Sequence, residues 1–236
     1  MNAAIIAAGG TGERFGEPGG KQLATVSGEP VLTRTIRAFE ACGAVDAIVV
    51  VTHPERVEEY RGSAVTPAAA SKVIAVVAGG VTRRASVAAG LDALPDGIAY
   101  VAVHDGARAA ITPRTITEAF ARLASNLALD GVVVGHPALD TIKRVDAEGR
   151  ILDTPDRSGL WVAQTPQVFR LDALRRAHAR AASEGFEGTD DASLVERDGG
   201  AVAMVEGPRW NMKVTVPEDV AVLEALLASR EAEGER

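Results

Sequence analysis

Cysteine is nearly missing from the sequence: Cys42 stands alone among 236 residues. That excludes an intrachain disulfide, a CxxC redox pair and a thiolate zinc cluster. Histidine is scarce as well, and His53, His104, His136 and His178 are scattered, which argues against a histidine-based metal site. Long apolar runs are lacking, because stretches such as 73–78 are far too short to cross a bilayer. The opening Met1-Asn2-Ala3-Ala4-Ile5-Ile6 has no basic residue before its apolar run, and Gly9-Gly10 follows at once. It reads as a first strand rather than a signal peptide, so a cytoplasmic protein is expected. Excess positive charge is missing too: 25 Lys and Arg face 32 Asp and Glu, a formal charge of -7. This argues against broad binding to nucleic acid or anionic membrane, yet a local cationic pocket could still hold a small phosphorylated ligand.

What is present is ordinary globular material, 47% apolar and 24% charged, enough for one domain spanning residues 1–236. Short runs rich in Ile and Val recur at Ala3 to Ala8, Ala47 to Val51, Val73 to Ala78, Tyr100 to His104, Gly131 to Val134 and Ala201 to Val205. They are mostly continuous rather than alternating, as in strands covered on both faces. Helical patterns lie between them: Pro30 to Ala41, Arg84 to Leu94, Pro113 to Leu123, Leu171 to Ala182 and Pro217 to Ala228. Thr112-Pro113 reads as an N-cap followed by proline at the first helical position. Strands separated by helices predict an α/β fold with a mostly parallel central sheet flanked by helices. The polar stretch 137–164 breaks that rhythm. Its Asp-Ala-Glu-Gly-Arg turn at 146–150 predicts a projecting hairpin-like arm, either a lid or a dimerisation device.

The first strand runs into Ala8-Gly9-Gly10-Thr11-Gly12-Glu13-Arg14-Phe15-Gly16. Such glycines let backbone N–H groups reach phosphate oxygens with no Cβ in the way. A P-loop needs Lys followed by Ser or Thr, but Lys21 is followed by Gln22. A dinucleotide fingerprint needs G-x-G-x-x-G and a ribose-binding acid after the second strand, where this chain has Thr52-His53. Arg14 and Lys21 distinguish the loop instead. Backbone donors with two cations make a polyphosphate site able to stabilise charge on a transferring phosphoryl group. Lysine is the rarer cation here, four residues against twenty-one arginines, and Lys21 and Lys213 both sit in motif-like segments.

Taken in order, this loop with Lys21-Gln22, Gly79-Gly80-Val81-Thr82-Arg83-Arg84-Ala85-Ser86-Val87, Val103-His104-Asp105-Gly106-Ala107-Arg108, Asp140-Thr141-Ile142-Lys143-Arg144, Asp156-Arg157, Leu160-Trp161 with Gln164-Thr165-Pro166-Gln167, Thr189-Asp190-Asp191-Ala192-Ser193 and Asn211-Met212-Lys213-Val214-Thr215 resemble the 2-C-methyl-D-erythritol 4-phosphate cytidylyltransferases over essentially the whole chain. The resemblance implies a Rossmann-like nucleotidyltransferase fold and transfer of the CMP part of CTP to methylerythritol 4-phosphate, with magnesium or a similar divalent ion. It also implies a homodimer through the 137–164 arm. By position, Arg14 and Lys21 would stabilise the triphosphate in the transition state, and Arg157 and Lys213 would place the acceptor phosphate. Ala8, Gly9, Gly10, Thr11, Gly12, Gly80 and Ser86 would bind the nucleotide. Asp105 would organise the nucleotide and metal, with Arg108 beside it, and Thr141 and Thr189 would join Arg157 and Lys213 around the acceptor. The acceptor's own phosphate would attack the α-phosphorus, so no Ser, Cys or His nucleophile is needed. The chain departs from the family after Arg108, where proline is usual and Ala109-Ala110 stand.

Other readings attach to the same residues. His104 and Asp105 diverge at a strand end, so His104 reads as a supporting core residue rather than a dyad partner. Asp190-Asp191 reads as a helix start with acids in its first turn rather than a metal site. A cytidylyltransferase for ribitol 5-phosphate or another polyol phosphate, and a non-catalytic nucleotide-binding regulatory protein, are the alternative functions.

Overall fold

The computed structural model describes residues 1–10, 15–16 and 20–232. Thr11, Gly12 and Arg14, expected at the nucleotide, therefore lie outside the described residues.

In chain order the elements are β1 (Asn2–Ala7), α1 (Gly20–Leu23), β2 (Thr25–Val26), β3 (Glu29–Pro30), α2 (Val31–Glu40), β4 (Ala47–Thr52), α3 (Val57–Tyr60), α4 (Thr66–Ala68), β5 (Val73–Ala78), α5 (Arg83–Asp92) and β6 (Tyr100–Asp105). They continue with α6 (Pro113–Ala124), β7 (Gly131–Pro137), β8 (Arg144–Val145), β9 (Ile151–Asp153), β10 (Trp161–Arg170), α7 (Leu171–Glu184), α8 (Asp191–Arg197), β11 (Val202–Glu206) and α9 (Glu218–Ala232). The predicted strands and helices are all present, and Thr112 caps α6 as expected, its hydroxyl accepting from the Thr115 N–H at 3.2 Å.

Seven strands form the main sheet in the order β11-β7-β10-β6-β1-β4-β5. Every pairing is parallel except those of β10, which runs antiparallel to both β6 and β7. Because side chains alternate along a strand, β1 feeds two cores. Ala4 and Ile6 pack with Ile36 and Phe39 of α2 and Ile116 and Phe120 of α6. Ala3 and Ile5 pack with Val87 and Leu91 of α5, Leu174 of α7 and Leu194 of α8. Phe39 is fully buried; truncating such a side chain costs about 3–5 kcal/mol. A third cluster, with Val214, Leu223 and Leu227, seats α9 against Ala107 to Ala110.

The stretch 137–164 holds a hairpin, as read from its turn, but its two ends belong to the main sheet. β8 and β9 form the hairpin, and Asp146 ties its turn by accepting from the Arg150 N–H at 2.8 Å. From Trp161 the chain is already in β10, paired with Pro137 across to β7. The arm thus stands between two strands of the main sheet, with 161–164 inside the sheet rather than in the projection.

Candidate active site

The chain builds the sheet outward from β1 to β4 and β5, then returns through α5 to lay β6 on the other side of β1. Such a reversal leaves a crevice beyond the carboxyl ends of the strands. Gly9 and Gly10 follow β1 into this crevice, Gly80 follows β5, and Asp105 ends β6. Together with Lys21, Thr82, Arg83, Ser86 and Lys213 they line a cavity of about 320 Å3. Ala8 does not line it: it is buried, and its N–H donates to the Val51 carbonyl at 2.7 Å.

The Gly79-Gly80 turn has to be glycine. A Cβ on Gly80 would lie 2.4 Å from the Ala85 Cβ, and one on Gly79 would lie 2.6 Å from the Ser86 hydroxyl. That close approach lets Ser86 fasten the turn, accepting from the Gly80 N–H at 3.1 Å and donating to the Thr82 carbonyl at 3.0 Å. Thr82 caps α5 by accepting from the Ala85 N–H at 3.1 Å. A helix start with its unpaired N–H groups on a cavity favours an anion.

Asp105 is the centre of charge. Its Oδ2 lies 2.9 Å from Lys213 Nζ and 3.4 Å from Arg108 Nε. Burial alone would raise this carboxyl, but Lys213 and Arg108 outweigh it and hold it well below the ordinary carboxylate range. The segment carrying Lys213 is fixed to the 105–108 turn, because the Val214 N–H donates to the Ala107 carbonyl at 2.9 Å and Arg108 Nη1 donates to the Asn211 carbonyl at 2.9 Å. Behind the turn, His104 is fully buried and tilted against Phe39. Burial pushes its pKa down to about 3, so it is a neutral core residue, as read from the sequence.

A second cavity of about 310 Å3 adjoins the first and shares Arg83, Asp105 and Lys213 with it. Arg108, Thr189, Asp190, Ala163, Gln164, Thr165 and Gln167 complete its wall. Asp190 caps α8 in a reciprocal capping box with Ser193, as expected. Asp191, the next residue, is fully buried and pairs with Arg83 and His178 instead. Thr141 and Arg157 line neither cavity; both are exposed on the arm, where Arg157 donates to the Leu139 carbonyl.

Arg83, Gln164, Thr165 and Gln167 were given no role from the sequence, although each lay inside a quoted motif. The available signal was chemical: three polar side chains in a row of strand residues, and an arginine at the first position of a helix. Among the described residues no group of three or more His, Cys, Asp or Glu could hold a metal ion. One ionised, half-buried carboxylate on the wall of both cavities suits a hard cation held mainly by substrate phosphates. A larger cavity of about 400 Å3, lined by Arg34, Arg37 and Arg230 near α2 and α9, has none of these loops.

The comparisons agree with this geometry. The family profile described as 2-C-methyl-D-erythritol 4-phosphate cytidylyltransferase (IspD) matches residues 2–229. A relative of that name from Microcystis aeruginosa is 43% identical over 227 residues, 96% of this chain and 98% of its own. A bifunctional IspD/IspF enzyme from Desulforudis audaxviator is 45% identical over 224 residues, covering 95% of this chain and 56% of that protein. Among solved structures, the 4-diphosphocytidyl-2C-methyl-D-erythritol synthase of Anaerococcus prevotii superposes with a TM-score of 0.83 at 26% identity, covering 97% of this chain and 96% of that one. The Thermus thermophilus cytidylyltransferase gives 0.75 at 32% identity over 96% of this chain and 98% of that one. A match running from the first strand into the last helix, on a fold whose loops meet at one charged crevice, places the chain in the 2-C-methyl-D-erythritol 4-phosphate cytidylyltransferase family.

Proposed function

We propose that this chain transfers the cytidylyl group of CTP to 2-C-methyl-D-erythritol 4-phosphate and releases pyrophosphate. The observation that carries the reading is the Lys213–Asp105 pair, 2.9 Å apart on the wall common to two adjoining cavities. One cavity has the glycine loops and helix start suited to a nucleotide. The other has the cations and hydroxyls suited to a polyol phosphate. Their common wall is where a phosphate on one substrate would face the α-phosphorus of the other.

In the reaction, an oxygen of the acceptor phosphate forms a bond to the α-phosphorus. The bond from the α-phosphorus to the oxygen bridging to the β-phosphorus breaks, and pyrophosphate leaves with that electron pair. A phosphate is already anionic at neutral pH, so the chain's work is positioning and charge stabilisation. Lys21, joined by Arg14, steadies the triphosphate. Lys213 holds the acceptor phosphate for in-line attack, and Thr189 contacts the polyol. Gly9, Gly10 and Gly80 present backbone groups to the nucleotide, and Ser86 keeps the Gly80 turn in shape. Asp105 keeps Lys213 and Arg108 aimed at the common wall. Asp105 is also the carboxylate that would hold magnesium or a similar divalent ion, which when bound neutralises triphosphate charge.

Thr141 and Arg157 enter through a homodimer, in which the arm of one protomer carries them to the acceptor cavity of the other. Their exposed positions, away from both cavities of their own chain, support this placement.

The test is pyrophosphate release with CTP and magnesium, comparing methylerythritol 4-phosphate with ribitol 5-phosphate. Turnover with the former alone is expected. Turnover with ribitol 5-phosphate alone would overturn the acceptor, and CTP binding without turnover of either would favour a regulatory nucleotide-binding protein.

A further inference from the structure

Three buried or half-buried groups from three helices meet behind the common wall. Arg83 opens α5, Asp191 opens α8, and His178 lies within α7. Arg83 Nη1 stands 2.7 Å from Asp191 Oδ2, and His178 Nε2 donates to Asp191 Oδ1 at 3.0 Å. Oδ1 thus accepts a hydrogen bond, while Oδ2, which accepts none, is balanced by the Arg83 charge at ion-pair distance. Asp191 cannot shift to relieve either contact, because α8 is bolted to β10. Gln167 Nε2 donates to Asp190 Oδ2 at 2.6 Å, and Gln167 Oε1 accepts from the Ala192 N–H at 3.1 Å.

The Asp191 side chain is 0% exposed and that of Arg83 is 32% exposed. A carboxylate taken fully out of water costs several kcal/mol unless its partners hold it in good geometry. Burial alone would raise Asp191, yet the His178 hydrogen bond and the Arg83 charge outweigh that and keep it ionised. About a third of the Arg83 side chain stays open, and Arg83 lines both cavities. Lys213 is the other cation doing so among the described residues, and Asp105 already faces it at 2.9 Å.

We propose that Arg83 is a further catalytic residue, a guanidinium that contacts the phosphates of both substrates across the common wall, and that Asp191 and His178 are positioning residues that hold it there. The inference rests on the two-substrate reading above. A planar guanidinium has donors on two edges: Nη1 is paired with Asp191, and other donors are left for phosphate oxygens. During transfer negative charge grows toward the leaving pyrophosphate, and a fixed cation at the junction stabilises it without having to reorganise. A mere staple between α5 and α8 would have no such relation to the chemistry.

The experiment is a double-mutant cycle in the full chain with Arg83→Gln, Asp191→Asn and both. It reads thermal stability, CTP affinity by titration calorimetry, and kcat and KM with whichever acceptor the wild type turns over. Arg83→Gln is expected to lower kcat/KM about 100-fold or more and to weaken CTP binding about 10-fold, with the fold retained. Asp191→Asn is expected to lower both, and to add nothing in the Arg83→Gln background. His178→Leu should reproduce the Asp191→Asn loss of kcat, while His178→Gln, which keeps a donor, should restore it. These two variants decide the matter if Asp191→Asn fails to fold.

Equal losses from Asp191→Asn in both backgrounds would overturn the positioning role. An Arg83→Gln variant within about 3-fold of wild type in kcat/KM and CTP affinity would overturn the whole inference. CTP affinity needs no acceptor, so a wrong acceptor leaves the cycle decisive, and a failed cycle leaves the acceptor assignment standing.

Discussion

A short circuit of hydrogen bonds holds the 105–108 turn in shape. The Asp105 N–H donates to Thr165 Oγ1 at 3.0 Å, and Thr165 Oγ1 lies 3.0 Å from His104 Nδ1. His104 Nε2 lies 3.3 Å from the Arg108 carbonyl, so that nitrogen carries the proton and Nδ1 accepts from the Thr165 hydroxyl. Both ends of the turn that presents Asp105 and Arg108 are therefore tied to one neutral imidazole. This has a pH consequence of definite sign. The unfolded chain takes up a proton on this histidine below about pH 6.5, whereas the folded chain refuses it until about 3. Stability from this group is complete above the unfolded value and falls by about 1.4 kcal/mol per pH unit below it. Between pH 6.5 and 5 that amounts to about 2 kcal/mol, or about 4–8 °C in melting temperature for a chain of this size. Calorimetry at the two pH values should show a smaller fall in His104→Gln than in wild type; equal falls would assign the acid sensitivity elsewhere. The role of His104 was legible because a residue adjacent to Asp105 on a strand must point the other way. Arg83 was not legible, because its importance comes from Asp191, more than a hundred positions later in the chain.

Helix α5 shows how a residue that weakens an element locally can be required by packing. Gly90, within the stretch read as a helix from Arg84 to Leu94, counts against a helix by propensity. In the fold, a Cβ at that position would lie 2.6 Å from Ile5 Cγ2 and 3.0 Å from Val51 Cγ2. The glycine lets α5 approach β1 and β4 closely, and α5 in turn carries Thr82, Arg83 and Ser86 at its site end. Gly90→Val is expected to cost about 2 kcal/mol or more through overpacking, lowering the melting temperature by about 4 °C or more. The accompanying shift of α5 should raise KM for CTP. A variant as stable and active as wild type would show that α5 is not held at this distance. The inner parallel strands were readable because burial on both faces makes them continuous apolar runs, and the edge strands β5 and β11 are apolar too although only partly covered. β10 was not, since Gln164, Thr165, Pro166 and Gln167 interrupt it. Those polar residues are buried nonetheless, because partners such as Asp190, Ala192 and Asn211 satisfy them. The short helices α3 and α4 also passed unread, lacking the repeat of apolar positions that a longer helix displays.

At the scale of the whole molecule, the arm leaves Ile142, Val145, Ile151 and Leu152 exposed, and Trp161 and Val162 at the adjoining start of β10 are exposed as well. Scattered surface apolar residues need no explanation, but four on the arm with two more where it rejoins the sheet form a surface that water does not favour. On the proposed dimer, this face is covered by the partner. Sedimentation of Ile151→Asp with Leu152→Asp should show a shift toward monomer, with kcat falling while CTP affinity is kept. A dimer unaffected by the pair, or a wild-type monomer, would remove the arm from assembly. No helix among the described residues is long and apolar enough to cross a membrane.

The position of β10 also fixes an order of construction. β7 touches β6 nowhere in the sheet, because β10 lies between them. As the chain emerges from the ribosome, β1, β4, β5 and β6 have partners as soon as residue 105 is made, together with the Gly80 turn and the start of α5. β7 then waits through the whole arm until residues 161–170 supply its neighbour. Lys213 comes later still. Most of the nucleotide wall, with Gly9, Gly10, Lys21, Gly80 and Ser86, is thus made before the acceptor wall, and Lys213, which lines both cavities, is the last piece of either to be added.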